Sequence, residues 1–255
     1  MNTIDLTPFS ISRPLKVEWL LVGDSDQQIL EALHSKSLRK FLRHIDEILA
    51  QNTITWEYKA ITKKEYLEWH AYYSEKMREL KYDIIAKLEW FEEKEKEGKT
   101  VEGLFFYQNT ALIGSGIIAR KEREKASFAY KASDKIELTT LPNGNLGAII
   151  DYMFIKEMKK KGVQKITGGT SLNSFGAEVT LGYLEYKLNF YSVRADEKSE
   201  VVQHVPVAED GSVVFYGKQN GKDFLFGMKK KNSEKVFDTH KYNSDGLPFL
   251  EIIYD

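Results

Sequence analysis

The chain contains no cysteine in 255 residues. That absence removes disulfides, thiolate nucleophiles, zinc–cysteine sites and iron–sulfur clusters together, and it suits a reducing compartment. No apolar run approaches the ~18–20 residues needed to cross a bilayer. The first residues, MNTIDLTPFSISRPLKVEWLLVG, lack a basic head followed by an apolar stretch. Neither a membrane span nor a signal peptide is therefore expected, and a cytoplasmic location is. No sign of charge prevails: 37 basic and 38 acidic side chains give a net charge of −1. Affinity for nucleic acid through a basic field is disfavoured, although a local basic groove is not. The histidines at 34, 44, 70, 204 and 240 form no pair at metal spacing, so no metal is expected. There is no G-x-S-x-G elbow, no Walker loop and no G-x-G-x-x-G after a strand, which sets aside serine hydrolases, NTPases and dinucleotide enzymes.

What is present is 42% hydrophobic, 29% charged and 13% aromatic residues, the profile of a globular protein. The length suits one principal domain with terminal additions. The expected division is a strand–helix extension over 1–54, a main domain over 55–197 and a β-hairpin extension over 198–255 packed on the main sheet.

Val17 to Val22 reads as a buried strand, and Ser25 with Gln28 as a capping box that starts a helix running to about Ala50. Its apolar positions recur at helical spacing, with Lys36, Arg39, Lys40, Arg43 and His44 mostly between them. Those basic residues suit a solvated face or an anionic-ligand patch. A strand over Thr53 to Tyr58 precedes a second capping box, Thr62 with Glu65. Tyr66, Trp69, His70, Tyr73, Met77 and Leu80 form one face of the helix it opens, and His70 on that stripe reads as a core histidine. A further helix is expected over Tyr82 to Glu97, ending in a solvated charge run at Gly98.

From Val101 the period changes to two. Val101 to Tyr107, Ala111 to Ala119 and Ala126 to Lys131 read as three consecutive antiparallel strands. A loop with Pro142, Asn143, Gly144 and Asn145 leads into a helix over Leu146 to Lys161, closed by Gly162. Val163 to Thr167 is a short strand running into Gly168-Gly169-Thr170-Ser171. A helix over Leu181 to Phe190 and a strand over Tyr191 to Arg194 follow. The tail carries VVQHVPV, SVVFYG, DFLFGM and PFLEIIYD between Asp-Gly, Asn-Gly and Asn-Ser-Asp-Gly turns, read as hairpins that extend or cap the main sheet.

This succession resembles the GNAT acyltransferase fold, and within that superfamily the Fem-type and related single-domain acyltransferases. The stretch that carries the likeness is ASFAYKASDKIELTTLPNGNLGAIIDYMFIKEMKKKGVQKITGGTSLNSFGAEVTLGYLEYKLNFY. It has a strand ending in small residues, Pro-Asn before a long helix, a lysine-rich helix end with glycine, a strand ending in Gly-Gly-Thr-Ser, and a Gly-aromatic-x-x-aromatic-Lys helix. The likeness spans about Lys59 to Arg194. It implies an α/β (α+β) fold with a mixed, mostly antiparallel central sheet and helices on both faces. It also implies an N-acyltransferase that moves an acetyl or longer acyl group from acetyl-CoA or another acyl-CoA to a primary amine of a small molecule or peptide. A Fem-type enzyme using aminoacyl-tRNA, and a catalytically silent binding module of the same shape, are the alternatives.

Asn143, Gly144, Asn145, Leu146 and Gly147 occupy the place where the donor's phosphates would meet a helix N-terminus. They depart from the coenzyme A signature of Arg or Gln, two residues, Gly, one residue, Gly or Ala: the best fit, Gly144 to Ile149, lacks the basic first residue and the small last one. The resemblance gives Lys187 an electrostatic role near the ester or anionic substrate; as a residue alone it suits a helix surface equally. Glu137, Asp151 and Glu102 are the candidate bases; none stands out by spacing, and surface roles suit all three. Tyr130 and Tyr183 either donate a proton to a leaving thiolate, line the acyl pocket or pack at a core edge.

Overall fold

The structure is a computed structural model that describes residues 3–21, 25–33, 35–121, 125–139, 144–195, 203–242 and 247–255. Two compact units divide the chain. Unit 1 is Met1–His34 with Gly168–Asp255, and unit 2 is Ser35–Thr167. Among the described residues no helix is long and apolar enough to cross a membrane.

In chain order, unit 1 begins with β1 (Thr3–Asp5), β2 (Lys16–Leu21) and α1 (Asp26–Ala32). Unit 2 holds α2 (Lys36–Arg43), α3 (Ile45–Gln51), β3 (Ile54–Ala60), α4 (Lys63–Glu79), α5 (Trp90–Lys96), β4 (Thr100–Gln108), β5 (Ala111–Arg120), β6 (Lys125–Ala126), β7 (Tyr130–Ser133) and α6 (Leu146–Lys160). Strand β8 (Lys165–Leu172) runs through the boundary. Unit 1 resumes with α7 (Leu181–Leu188), β9 (Tyr191–Ala195), β10 (His204–Pro206), β11 (Val213–Gln219), β12 (Lys222–Lys230), α8 (Thr239–Tyr242) and β13 (Phe249–Tyr254). The class is mixed α/β with mostly antiparallel pairing, as the sequence leads one to expect.

In unit 2 the sheet order is β3-β4-β5-β7, antiparallel throughout. Alternation along β5 separates its two faces. Ser115 points to α4 and accepts the Trp69 indole N–H at 2.8 Å. Gly114 and Gly116 point the other way. A Cβ on Gly114 would lie 2.8 Å from Leu146 of α6, and one on Gly116 would overlap Phe128, whose ring stacks on Phe154 of α6 at 4.1 Å. Small residues on that face are what let α6 lie close to the sheet. On the α4 face, Tyr66, Trp69, Tyr73, Met77, Trp90 and Phe91 bury against Val101, Phe105 and Ile117.

Both capping boxes form, at Ser25/Gln28 and Thr62/Glu65. The Glu65 carboxylate accepts the Thr62 backbone N–H at 2.7 Å and meets Lys59 at 3.0 Å. The Thr62 amide first, and then Lys59, hold its pKa down to about 2. A depressed carboxyl stabilises the fold above its unfolded value of about 4.3 and loses that contribution as pH falls through the folded value. The stability gap between the wild type and Glu65→Gln should therefore be constant above about pH 5 and shrink towards about pH 2. Urea titrations across that window test it, and a gap that does not change over the window would refute it.

Several expectations need correction. The single helix over 26–50 is three helices. Leu33 is extended, the Ser35 hydroxyl starts α2 by accepting from the Leu38 N–H, and His44 (φ −107°, ψ 23°) separates α2 from α3. The helix over 82–97 reduces to α5. Lys81 takes φ 58° and the Tyr82 N–H folds back to the Met77 carbonyl, which ends α4. Side chains of α4 then satisfy the next segment's carbonyls: the Tyr66 hydroxyl donates to Lys87 at 2.7 Å, and His70 Nε2 lies 2.9 Å from the Ala86 oxygen. Because a carbonyl only accepts, His70 carries its proton on Nε2 and makes a core contact. Between these points Tyr82 and Ile85 stay 63% and 64% exposed.

The third expected strand splits in two. Tyr130–Ser133 pairs with β5, whereas Lys125 and Ala126 pair in parallel with Lys165 and Ile166 of β8. Gly168 to Ser171 continue β8 instead of following it.

In unit 1, β2 pairs antiparallel with β9. The tail builds a sheet of its own, β11-β12-β13, rather than extending the main sheet. The β11–β12 hairpin turns through Asn220-Gly221, both at positive φ (52° and 75°), the geometry this dipeptide favours. β13 joins β12 in parallel, and β10 pairs with β1. Ile4, Leu6 and Ile11 from the start of the chain share one core with Val205, Val213, Phe215, Phe226 and Met228.

Candidate functional site

The Gly182-Tyr183-x-x-Tyr186-Lys187 helix lies in unit 1. Thr180 caps α7, its hydroxyl accepting the Tyr183 N–H at 3.3 Å. Tyr183 and Lys187 stand four residues apart and share a helix face. The half-buried Lys187 ammonium donates to the Gly168 carbonyl of β8 at 2.7 Å, and it lies 5.3 Å from the Tyr183 ring centre and 5.1 Å from that of Tyr191. Two ring faces and a carbonyl all favour the cation and fix its place. A side chain on Gly168 would crowd this arrangement, since a Cβ would lie 3.0 Å from Lys187 Nζ, Trp19 Cβ and Tyr191 Cδ2. Beside the lysine, the fully buried Trp19 donates its indole N–H to Ser171 Oγ at 2.8 Å, and Ser171 Oγ donates to the Tyr183 hydroxyl at 3.3 Å.

The segment between β8 and α7 is pinned from below. Asn173 is fully buried: its Nδ2 donates to the Pro14 and Tyr216 carbonyls, each at 2.8 Å, and its Oδ1 accepts the Tyr216 N–H at 2.7 Å. Arg13, 2% exposed, donates Nε and Nη2 to the Asn173 carbonyl at 3.0 and 2.7 Å, and Nη2 also to Ser174 Oγ. Burial lowers its pKa to about 10, partly opposed by Glu178. Phe175 then exchanges both backbone hydrogen bonds with Val214 of β11 at 2.8 Å. The C-terminal sheet thereby fixes the path of the chain into α7.

The other expected site residues lie in unit 2. Tyr130 packs among Trp69, Tyr73 and Trp90 at ring separations of 5.9, 5.8 and 5.2 Å, and burial raises its pKa. Glu137 is exposed in the irregular segment after β7. Asp151 is buried and meets Lys131 at 2.9 Å. Glu102, 5% exposed, receives Arg120 Nε at 2.5 Å, the Tyr58 hydroxyl at 2.9 Å and Lys161 at 3.3 Å. A carboxylate so enclosed is a packing element rather than a base that a substrate can reach.

Asn143 lies outside the described residues. Gly144 is half-buried, Asn145 is the N-cap of α6, and Leu146 and Gly147 form its first turn. The Asn145 side chain accepts the Ala148 N–H at 2.9 Å and so takes one of the amides a phosphate would need. Tyr130, Glu137 and the 144–147 turn thus belong to one unit and Lys187 to the other. The residues that hold Tyr183 and the chain into α7 carry no signal in the sequence. Trp19 sits in an apolar run and Ser171 and Asn173 lie beyond a Gly-Gly pair, so no local periodicity joins them.

No family model matches this sequence, and no curated protein sequence matches it. Solved structures do match. The crystal structure of FemX aligns with a TM-score of 0.52 at 8% identity over 75% of this chain and 61% of that one. A conserved protein of unknown function from Bacteroides thetaiotaomicron aligns at 0.47 and 15% identity, over 75% and 60%. L-PGS from Bacillus licheniformis aligns at 0.45 and 13%, over 76% and 64%. The chain therefore spans about three fifths of the length of FemX and shares its fold.

Proposed function

We propose that this protein is a Fem-type aminoacyltransferase, which moves an aminoacyl group from the ester of an aminoacyl-tRNA to a primary amine of a peptide or small molecule. The observation that carries the reading is the Lys187 ammonium, fixed by the Gly168 carbonyl between the faces of Tyr183 and Tyr191. Two further observations favour an ester donor over acyl-CoA. The fold is that of FemX, and Asn145 fills the cap of α6 with its own side chain. The exposed Lys36, Lys40 and Arg43 of α2 offer charges for a phosphate backbone.

In this reading the neutral amine attacks the ester carbonyl carbon, and a C–N bond forms while the oxygen gains charge. Lys187 stabilises that oxyanion as a fixed point charge in a half-buried setting, where the attraction exceeds its value in water. The C–O bond to the ribose then breaks; the leaving oxygen gains a proton and the new amide nitrogen loses one. The enzyme forms no covalent intermediate.

The test offers purified protein a peptide amine with either charged tRNA or acetyl-CoA and measures amide formation. Product is expected from charged tRNA only. Lys187→Ala should cut turnover about 10²-fold or more, with the melting temperature within a degree or two of wild type. Transfer from acetyl-CoA alone, or undiminished turnover in Lys187→Ala, would refute the reading.

A further inference from the structure

We propose that β13 is a dimerisation edge: two copies of this chain join their β11-β12-β13 sheets by antiparallel pairing of β13 with β13 about a two-fold axis at Ile252. The proposal does not depend on the transferase reading. The two edges of this sheet differ. β11 is covered, by bridges from Ser12 to Lys218 and from Phe175 to Val214. Among the described residues no strand pairs with the outer edge of β13. Alternation shows which backbone groups that edge presents. The Leu225 N–H donates to the Pro248 carbonyl at 3.0 Å and the Lys231 N–H to the Tyr254 carbonyl at 2.8 Å, so the even-numbered residues turn their backbone groups to β12. Phe249, Glu251 and Ile253 therefore turn theirs outward. The strand FLEIIY has none of the devices that keep edges apart: no proline, no lysine, and a register with β12 that is unbroken from Leu225 to Lys230.

The occupant follows from the side chains and the register. In a two-fold pair the opposed residues share a face, so the axis must pass through one residue position. Of the two central positions, Glu251 would set two carboxylates directly opposite each other, which is destabilising. Ile252 on the axis instead faces itself, with Leu250 opposite Tyr254, all on the face that packs on the sheet's own core. On the other face Glu251 of one copy lies opposite Ile253 of the second, and Ile253, 57% exposed, gains its own counterpart on the diagonal. Glu251 already meets Lys229 of its own chain at 2.7 Å, so it enters the contact neutralised. Glu251 and Ile253 then exchange both backbone hydrogen bonds, and the Ile252 pair takes the closer, non-hydrogen-bonded position. A contact through one six-residue strand is small for a specific interface, so the dimer is expected to form at micromolar concentration and to dissociate on dilution.

The full chain serves for the test, since its lack of cysteine makes an introduced thiol unique. Sedimentation equilibrium of the wild type at tens of micromolar should give twice the mass of the chain. Ile252→Cys should form a disulfide-linked dimer under mild oxidation, because the paired Cα atoms lie about 4.5 Å apart. Glu251→Cys should not, since the same axis leaves its two copies beyond the ~7 Å that a disulfide spans. Ile253→Pro removes an N–H that only the dimer uses, and should give a monomer with an unchanged circular dichroism spectrum. Ile253→Glu, which would face Glu251 of the second copy, should do the same. Should Ile252→Cys fail to fold, the two Ile253 variants, altered at an exposed side chain, still decide. A monomeric wild type, a dimer that persists in both Ile253 variants, or cross-linking of Glu251→Cys but not of Ile252→Cys overturns the proposal.

Discussion

Asn173→Leu should lower the unfolding free energy by about 3–5 kcal/mol, more than any replacement on the surface of unit 1. Leucine matches asparagine in shape but leaves the Tyr216 N–H and the Pro14 and Tyr216 carbonyls without the partners that the Asn173 side chain gives them. Each buried polar group that loses its partner costs about 1–3 kcal/mol. Asn173→Asp should do no better, because a carboxylate would face the same two carbonyls. Urea denaturation followed by tryptophan fluorescence measures the change. A loss below about 1 kcal/mol would show that the three groups find other partners. Turnover should fall with stability, since Asn173 lies on the path from Ser171 to α7.

In unit 2 the largest loss is expected at Glu102. Glu102→Leu leaves the largely enclosed Arg120 guanidinium without its carboxylate and removes partners from Tyr58 and Lys161. Removing one member of a buried ion pair costs about 3–5 kcal/mol, because the other charge stays desolvated and unpaired. Replacing both, as Glu102→Leu with Arg120→Met, should return much of that loss, since neither charge then has to be stripped of water. A double-mutant cycle in urea reads the coupling directly. Equal stability of the single and double variants would mean that Arg120 reaches water once Glu102 is gone.

What the sequence disclosed follows from how far apart the interacting residues lie. Ser25 with Gln28, Thr62 with Glu65, and the Asn220-Gly221 turn act within a few residues, and all three form as expected. The Gly-aromatic-x-x-aromatic-Lys motif led to the helix that bears the fixed ammonium for the same reason. Interactions across long stretches of chain left no such trace. Lys125 pairs with Lys165, and Trp19 meets Ser171 at a separation of 152 residues. Helical periodicity also ran through the 26–50 stretch without a break, because His44 can end one helix and begin the next while the apolar positions keep their spacing. In the 82–88 stretch, α4 side chains compete for carbonyls that a helix would have used, and this competition is invisible to propensity.

Unit 1 is assembled from both ends of the chain, with β1 on β10 and Ile4, Leu6 and Ile11 in one core with Phe215, Phe226 and Met228. Unit 2 is a single uninterrupted stretch. During translation at about 5–20 residues per second, unit 2 can therefore close while the ribosome is still making the rest. The first dozen residues must wait for the strands after residue 203, which supply the partners of β1 and the core around Ile4, Leu6 and Ile11. The segment from β8 into α7 belongs to the late half of this schedule, since Tyr216 and Val214 of β11 hold it, so a nascent chain stalled before β11 leaves that segment unpinned.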